Sequence, residues 1–381
     1  MRLLHTADWQ LGLRAAQAGD RAAEVRAERI RALGRLVDLA RELDVAAVLV
    51  AGDVFDRQDV DESVVKAAIA HLECLEPIPT LLLPGNHDPF TLGGVWTRSC
   101  WSEVGKHVVV AKRSAEIELL PGLAVYPCTV TQKQSRRDPT AWIPPRREGD
   151  DRLRVGLAHG SLDALATKSN FPISRDRVEL AGLDYLALGD WHGVSIHGRA
   201  AYPGTIEQTS FGERLPGHVL AVDLDPQRCS EPLIEQHRVG RFVWLQLEEE
   251  IGDRSDLLHL EERIRTAARP DDLLLRLRLR VTTGETSILG ELDRLRADLE
   301  PRLVRLEWDQ ASSLEGEDWQ MPEGLLLEAD AALDSVLHGG ELPSGAPESL
   351  LDAEPPVLEE ARSQLRRWAR EAQESQQGAE Q

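Results

Sequence analysis

The chain has 381 residues, which at about 150 residues per domain bounds it at two or three domains. Hydrophobic residues make up 42% and charged residues 29%, so collagen-like, disulfide-rich and wholly disordered classes are excluded and a sizeable core is expected. The formal charge of −21 argues at first against nucleic acid, whose phosphates need basic surface. In chain order, Arg2–His5 reads as a short apolar strand and Arg21–Arg41 as a helix, with Val25, Leu33, Leu36, Val37 and Ala40 at helical spacing. Val45–Val50 reads as a strand, Asp61–Leu75 as a helix and Leu81–Leu83 as a buried strand, with further strands at Val108–Val110, Arg154–Ala158 and Tyr185–Leu188. Continuous apolar strands separated by helices imply sheets covered on both faces, with ligands collecting beyond the strand ends.

Thr129–Arg152 is polar and Pro-rich and reads as a surface excursion. From Arg241 a second unit follows: strand Phe242–Leu247, helix Asp256–Ala268, alternating strand Leu273–Thr282, helix Ser287–Leu299 and strand Leu303–Trp308. This order fits a compact capping domain. Beyond Ser312 the chain turns acidic. Ser313 to the end holds 4 basic and 16 acidic residues, a net of −12, leaving −9 for residues 1–312. Metal ions among the remaining acids would reverse the local sign. Helices are expected at Gly324–Leu337 and Val357–Glu371, joined by the flexible HGGELPSGAPES. Cys74, Cys100, Cys128 and Cys229 form no CxxC pair, as suits free thiols in a reducing cytosol. No apolar run reaches the ~20 residues of a membrane span, and Asp8 interrupts any N-terminal secretory core. A cytoplasmic protein without a membrane partner is expected.

Five motifs lie at strand ends: Asp8-Trp9-Gln10, Gly52-Asp53-Val54-Phe55-Asp56, Gly85-Asn86-His87-Asp88, His159-Gly160 and Gly189-Asp190-Trp191-His192. Carboxylates, amide oxygens and imidazoles are the ligands of hard to borderline divalent metals. A site with two ions about 3.5–4 Å apart needs one shared carboxylate and separate ligands for each ion, and Asp53 is well placed as the bridge.

With HTADWQLG, AGDVFD, PGNHD, AHGS, LALGDWHG and YPGTIEQTSFGE in this order over roughly residues 1–225, the chain resembles the calcineurin-like metallophosphoesterases. Among them it is most similar to the SbcD-type nuclease subunit of the SbcC–SbcD DNA repair exonuclease and its counterparts. The resemblance implies an α/β fold: a two-sheet metallophosphoesterase sandwich flanked by helices (1–240), a small α+β capping domain (241–311), and an acidic linker with C-terminal helices for partner binding (312–381). It implies Asp8 and His192 on a first metal, Asp53 bridging, and Asn86 and His159 on a second. His87 matches the catalytic histidine beside the scissile phosphate, with Asp88 orienting its imidazole. Two positions depart from the family pattern: Gln10 and Asp190 stand where histidines are usual. Gln10 can ligate weakly through its carbonyl oxygen, and Asp190 is expected on the second metal. The shift toward oxygen ligands favours two Mn²⁺ ions, or Mg²⁺.

The implied chemistry is in-line phosphodiester hydrolysis without a covalent enzyme intermediate, acting on DNA. A phosphatase for small molecules or phosphoproteins is the alternative, since one site serves all of these. Lys133, Arg136, Arg137, Arg146 and Arg147 either track phosphates or form a solvated loop; Arg276, Arg278 and Arg280, opposite Leu275, Leu277 and Leu279, face either DNA or water. Trp9 and Trp191 are expected as packing residues, with base-stacking surfaces as the alternative. In the tail, Val357, Leu358, Ala361, Leu365, Trp368 and Ala372 form one apolar stripe of an amphipathic helix. The stripe either folds back on the capping domain or docks on another protein, with Trp368 as anchor; for the second case the resemblance supplies the partner, the coiled-coil base of an SbcC-type ATPase, and implies a homodimer of this chain within the complex.

Overall fold

The computed structural model describes residues 1–162, 170–283, 286–312, 325–338, 350, 355, 357–358, 361–362, 364–365 and 368. The expected linker past His338 and the tail past Trp368, Ala372 included, lie outside them. The chain forms two compact units. One is Met1–Leu245 with Arg269–Leu274 and Leu303–Arg305; the other is Gln246–Ala268, Leu275–Arg302 and the described residues from Leu306 onward.

In the first unit, strands β1 (Arg2–Thr6), β2 (Ala47–Ala51), β3 (Thr80–Leu83) and β4 (Val108–Val110) are separated in the early part by helices α1 (Ala22–Glu42) and α2 (Glu62–Glu73). Then come β5 (Ile117–Leu120), β6 (Leu123–Pro127), β7 (Leu153–His159), the short pair β8 (Ser161–Leu162) and β9 (Pro172–Ile173), and helix α3 (Arg177–Ala181). The unit's remaining strands are β10 (Tyr185–Gly189), β11 (Ser195–His197), β12 (Ala200–Tyr202), β13 (His218–Asp223) and β14 (Leu233–Arg238). They build two six-stranded sheets, β14-β13-β1-β2-β3-β4 and β11-β12-β10-β7-β6-β5. Strands β1 to β4 run parallel, as do β6, β7, β10 and β12.

The period of two along each strand explains the layers. Leu3, Ala47, Leu49, Leu81 and Leu83 join Leu123, Val125, Val155, Leu157, Tyr185 and Ala187 in one core between the sheets. The alternate residues Leu4, Val48, Val50 and Leu82 pack with Leu33, Leu36 and Val37 of α1 and Val65, Ala68 and Leu72 of α2. Ala124, Tyr126, Ala158, Leu186 and Leu188 face outward to Val178 and Ala181 of α3 and to Ile143. This is the expected sandwich. The excursion at 129–152 has no helix or strand, yet Ile143 is buried in that outer core. Arg146 is tied to the carbonyls of Asp150, Arg152 and Gly182 and to Asp184, so it anchors the loop instead of facing a ligand. Lys133, Arg136, Arg137 and Arg147 remain exposed.

A buried polar tie crosses between the sheets from β1 to β10. His5 on β1 donates from Nε2 to the Leu188 carbonyl (3.2 Å) and accepts at Nδ1 from Tyr185 Oη (2.9 Å). Burial pushes this imidazole down to about 3, so it is a neutral packing residue.

Past β14, strands β15 (Val243–Ile251), β16 (Leu273–Val281) and β17 (Arg305–Ser312) form a three-stranded sheet in that order, with helices α4 (Arg254–Ala267) and α5 (Thr286–Leu299) between them in sequence. Leu275, Leu277 and Leu279 are buried as the alternation requires. On the other face Arg276 pairs with Glu307 (2.5 Å) and Arg278 with Glu248 (2.9 Å). The tail contributes α6 (Leu325–Leu337), and every described residue from 357 to 368 is helical. Arg362 there pairs with Asp330 (3.0 Å) and Asp334 of α6. The expected single stripe is two faces: Leu358 is buried, whereas Val357 and Trp368 are 60% and 57% exposed. All four cysteines are free thiols. Among the described residues, no helix is long and apolar enough to cross a membrane.

Candidate metal centre

Five parallel strands deliver their carboxyl ends to one place. Asp8 follows β1, Asp53 follows β2, Asn86 follows β3, His159 ends β7 and Asp190 follows β10. The loops behind β1 and β2 are laced by Asp8 N to Gly52 O (3.0 Å), Gln10 N to Asp53 O (3.0 Å) and Leu11 N to Val54 O (2.9 Å). Asp8, Gln10, Asp53 and Asp190 all adopt positive φ, between 49° and 101°, a conformation that costs a non-glycine residue about 1–3 kcal/mol. Gly85 lacks a side chain for a direct reason: a Cβ there would stand against the backbone nitrogen and carboxylate of Asp53.

One donor atom each from buried Asp8, Asp53 and His159 lie within 4.8 Å of one another. His159 donates from Nδ1 to the Ala51 carbonyl (2.8 Å), because a carbonyl only accepts. Its Nε2 faces Asn86 Oδ1 at 2.7 Å, Asp53 Oδ1 at 3.4 Å and Asp190 Oδ1 at 3.7 Å. Ser161 Oγ donates to the other Asp190 oxygen (3.0 Å), and the Asp190 amide donates to Asp8 (3.1 Å). Burial pushes the Asp8 carboxyl up, opposed by His159 and His192 and reinforced by Asp53 and Asp190. For His159 burial acts downward, but Asp53, Asp8 and Asp190 outweigh it and raise the imidazole to about 9. A ring with acceptors at both nitrogens needs either an extra proton or a cation where the oxygens converge. The residues therefore fit a divalent ion, which would leave His159 neutral and the acids ionised.

Other predicted residues take different parts. Gln10 is buried and donates its amide nitrogen to Asp53 Oδ2 (2.9 Å), so it orients Asp53 through the end of the amide opposite to the oxygen that ligation would use. The His87 amide donates to Asp53 Oδ1 (2.9 Å), and its Nε2 stands 3.9 Å from Asp53 Oδ2 on a side chain 47% exposed. His87 Nδ1 donates to the carbonyl of Asp56 (2.9 Å). This corrects the role expected of Asp88. Its two buried oxygens accept the amides of Phe55 (2.9 Å) and Gly85 (2.6 Å), so it shapes the strand-end loops, and Asp56 orients the imidazole. His192 Nδ1 meets Glu213 Oε1 (2.9 Å), a partner missed in the motif reading although it closes the quoted TSFGE run. No side-chain pattern announces the Asp56 carbonyl. Trp9 is buried, donating to Thr6 Oγ1 (2.9 Å), but Trp191 is 56% exposed and is not the packing residue expected.

A family model of the calcineurin-like phosphoesterases matches residues 1–194, just over half of the chain, and takes in every motif residue from Asp8 to His192. This chain belongs to the calcineurin-like phosphoesterase family. As a calcineurin-like phosphoesterase it is expected to use divalent metal, and the convergent donor set is where that metal fits. This phosphoesterase is also similar to the DNA double-strand break repair protein Mre11 of Aeropyrum pernix, with 29% identity over 289 residues, 69% of this chain and 66% of the relative. The match thus spans just under two thirds of that relative's length.

If Asp190 does the work of the histidine usual at its position, Asp190→Ala weakens Mn²⁺ binding at least as much as His159→Ala. The loss should exceed the 10–100-fold, roughly, that removing an outer partner of a ligand costs. Calorimetric titration of the two variants checks this; a silent Asp190→Ala would mean that the carboxylate holds nothing.

Proposed function

We propose that this phosphoesterase is a two-metal phosphodiester hydrolase acting on DNA, the exo- and endonuclease subunit of a repair complex with an SbcC-type coiled-coil ATPase. The observation that carries the reading is the surround of His159 Nε2, three oxygens and no proton donor, joined to similarity with a double-strand break repair protein. Asp8 and His192 would hold one ion, Asn86, His159 and Asp190 the other, with Asp53 reaching both. When bound, the ions supply Lewis-acid activation of water and neutralisation of charge building on the phosphate. Four oxygen-bearing residues against two imidazoles favour Mn²⁺, then Mg²⁺.

The protein's own part is orientation and proton handling. Gln10 and the His87 amide fix Asp53 through both of its oxygens. With Nδ1 committed to the Asp56 carbonyl, His87 offers Nε2 to the substrate side, where it would steady the phosphate or hand a proton to the leaving oxygen. Trp191, exposed between two metal-motif residues, offers a face on which a nucleobase can stack. We assign the chemistry to residues 1–240, capping of the substrate to 241–311 and partner attachment to 312–381, in a cytoplasmic homodimer without a membrane partner. Val357, Ala361 and Trp368 form the outward face for the ATPase, with Leu365 at its border, while Leu358 is committed to the protein's own interior.

A small-substrate or phosphoprotein phosphatase gains from one observation: Arg276 and Arg278 are already paired with glutamates, so that strand brings little free positive charge to DNA. Kinetics with Mn²⁺ on a DNA strand and on a small phosphate monoester separate the two. For the nuclease, DNA is the better substrate, and His87→Ala lowers its cleavage by ~10²–10⁴, the usual worth of a positioned acid or base, while metal content is kept. Parental cleavage by His87→Ala contradicts the assigned role, and a preference for the monoester contradicts the nuclease.

The attachment surface has its own test. Changing Val357 and Trp368 together to Asp should leave metal-dependent cleavage by the isolated chain intact and abolish co-purification with the ATPase. Retained co-purification contradicts the assignment of that face.

A further inference from the structure

His192 sits on a loop beyond β10, where no strand fixes its side chain. Its Nδ1 stands 2.9 Å from Glu213 Oε1 and 3.2 Å from Thr209 Oγ1. Glu213 is itself firmly held: Oε2 accepts the Thr209 amide (2.9 Å), and Oε1 accepts the hydroxyls of Thr209 and of Ser210 (3.3 Å). An ionised carboxylate can only accept, so the proton between them belongs to Nδ1 of His192, and the lone pair of the neutral ring lies on Nε2.

The loop carrying Glu213 is anchored on its other side. Glu207 accepts the amides of Arg241 and Phe242, each at 2.8 Å. Gln208 bonds both the amide (2.9 Å) and the carbonyl (3.2 Å) of Trp244. Buried Arg29 of α1 donates to the carbonyls of Glu207 and Gln208. The segment from Glu207 to Glu213 is therefore tied to α1 and to the start of β15 before it touches His192, and its carboxylate arrives in a fixed place.

We propose that Glu213 is a positioning residue of the metal centre, which holds His192 with Nδ1 protonated and Nε2 directed to a divalent cation. The inference rests on the reading of His192 as a ligand. Carboxylate, imidazole and metal in series is an arrangement that fixes the tautomer and raises the basicity of the ligating nitrogen.

The test uses the full-length protein and Mn²⁺ alone, without DNA. In calorimetric titrations Glu213→Ala weakens one of the two binding events by about 10–100-fold, the usual effect of losing such a partner, and Glu213→Gln, which keeps an accepting oxygen, recovers most of it. His192→Ala weakens the same event. Ring ¹⁵N shifts of His192, recorded without metal at a pH where the ring is neutral, read Nδ1–H in the parent and a mixture of tautomers in Glu213→Ala. Parental Mn²⁺ affinity in Glu213→Ala beside a weakened His192→Ala overturns the inference alone and leaves Glu213 a loop cap. Parental affinity in His192→Ala overturns the ligand reading and the inference together. Should Glu213→Ala fail to fold, the parent protein decides by itself, because an Nε2–H tautomer there overturns the proposal.

Discussion

His159 has a hydrogen-bond acceptor at each ring nitrogen, and that conflict organises the site. The Ala51 carbonyl accepts from Nδ1, so Nε2 of the neutral ring points its lone pair at oxygens of Asn86, Asp53 and Asp190, a clash that an added proton or a cation relieves. Ala51 ends β2 of one sheet and His159 ends β7 of the other. The bond that sets the tautomer therefore also joins the two sheets where the site forms. The same device recurs at His87, held by the Asp56 carbonyl, and at His192, held by Glu213. Three imidazoles are each tethered through Nδ1, which leaves Nε2 as the nitrogen free for chemistry. A site prepared in this way loses little freedom when a cation or phosphate arrives.

Local strain accompanies this preparation. Four non-glycine residues at the site hold left-handed or related backbone conformations, each unfavourable in isolation. What sustains them is not local. The bonds between the loops of β1 and β2 and the core between the sheets leave the chain no competing path. Buried carboxylates act in the same sense, since Asp8 is pushed toward its neutral form by burial and gains its charge back when a cation is near. Packing energy spread over the sandwich thus supports a site that is unfavourable by itself.

Much of this was legible in the sequence. Continuous apolar runs such as Val45–Val50 and Arg154–Ala158 locate the strands Ala47–Ala51 and Leu153–His159 to within a residue or two, because both faces of each strand are buried. The strand-end motifs located Asp8, Asp53, Asn86, His159 and Asp190, because parallel strands bring their carboxyl ends together. Where the structure departs from the sequence, the reasons are physical. Asp88 was assigned to its neighbour's imidazole, but adjacent side chains diverge and its oxygens found backbone amides instead. The orienting group at His87 is a main-chain carbonyl, which leaves no trace in residue type. Leu358 and Val357 were placed on one stripe, though consecutive helical positions differ by about 100°, and only Leu358 is buried.

Asp53 is proposed to serve two ions at once, and counting ions tests this most directly. Mn²⁺ titration of the purified chain, followed by calorimetry with metal content measured after dialysis, should give two ions for the parent and none for Asp53→Ala. No neighbouring carboxylate can take the place of one already fixed by Gln10 and the His87 amide. Two ions still bound in a folded Asp53→Ala would contradict the account.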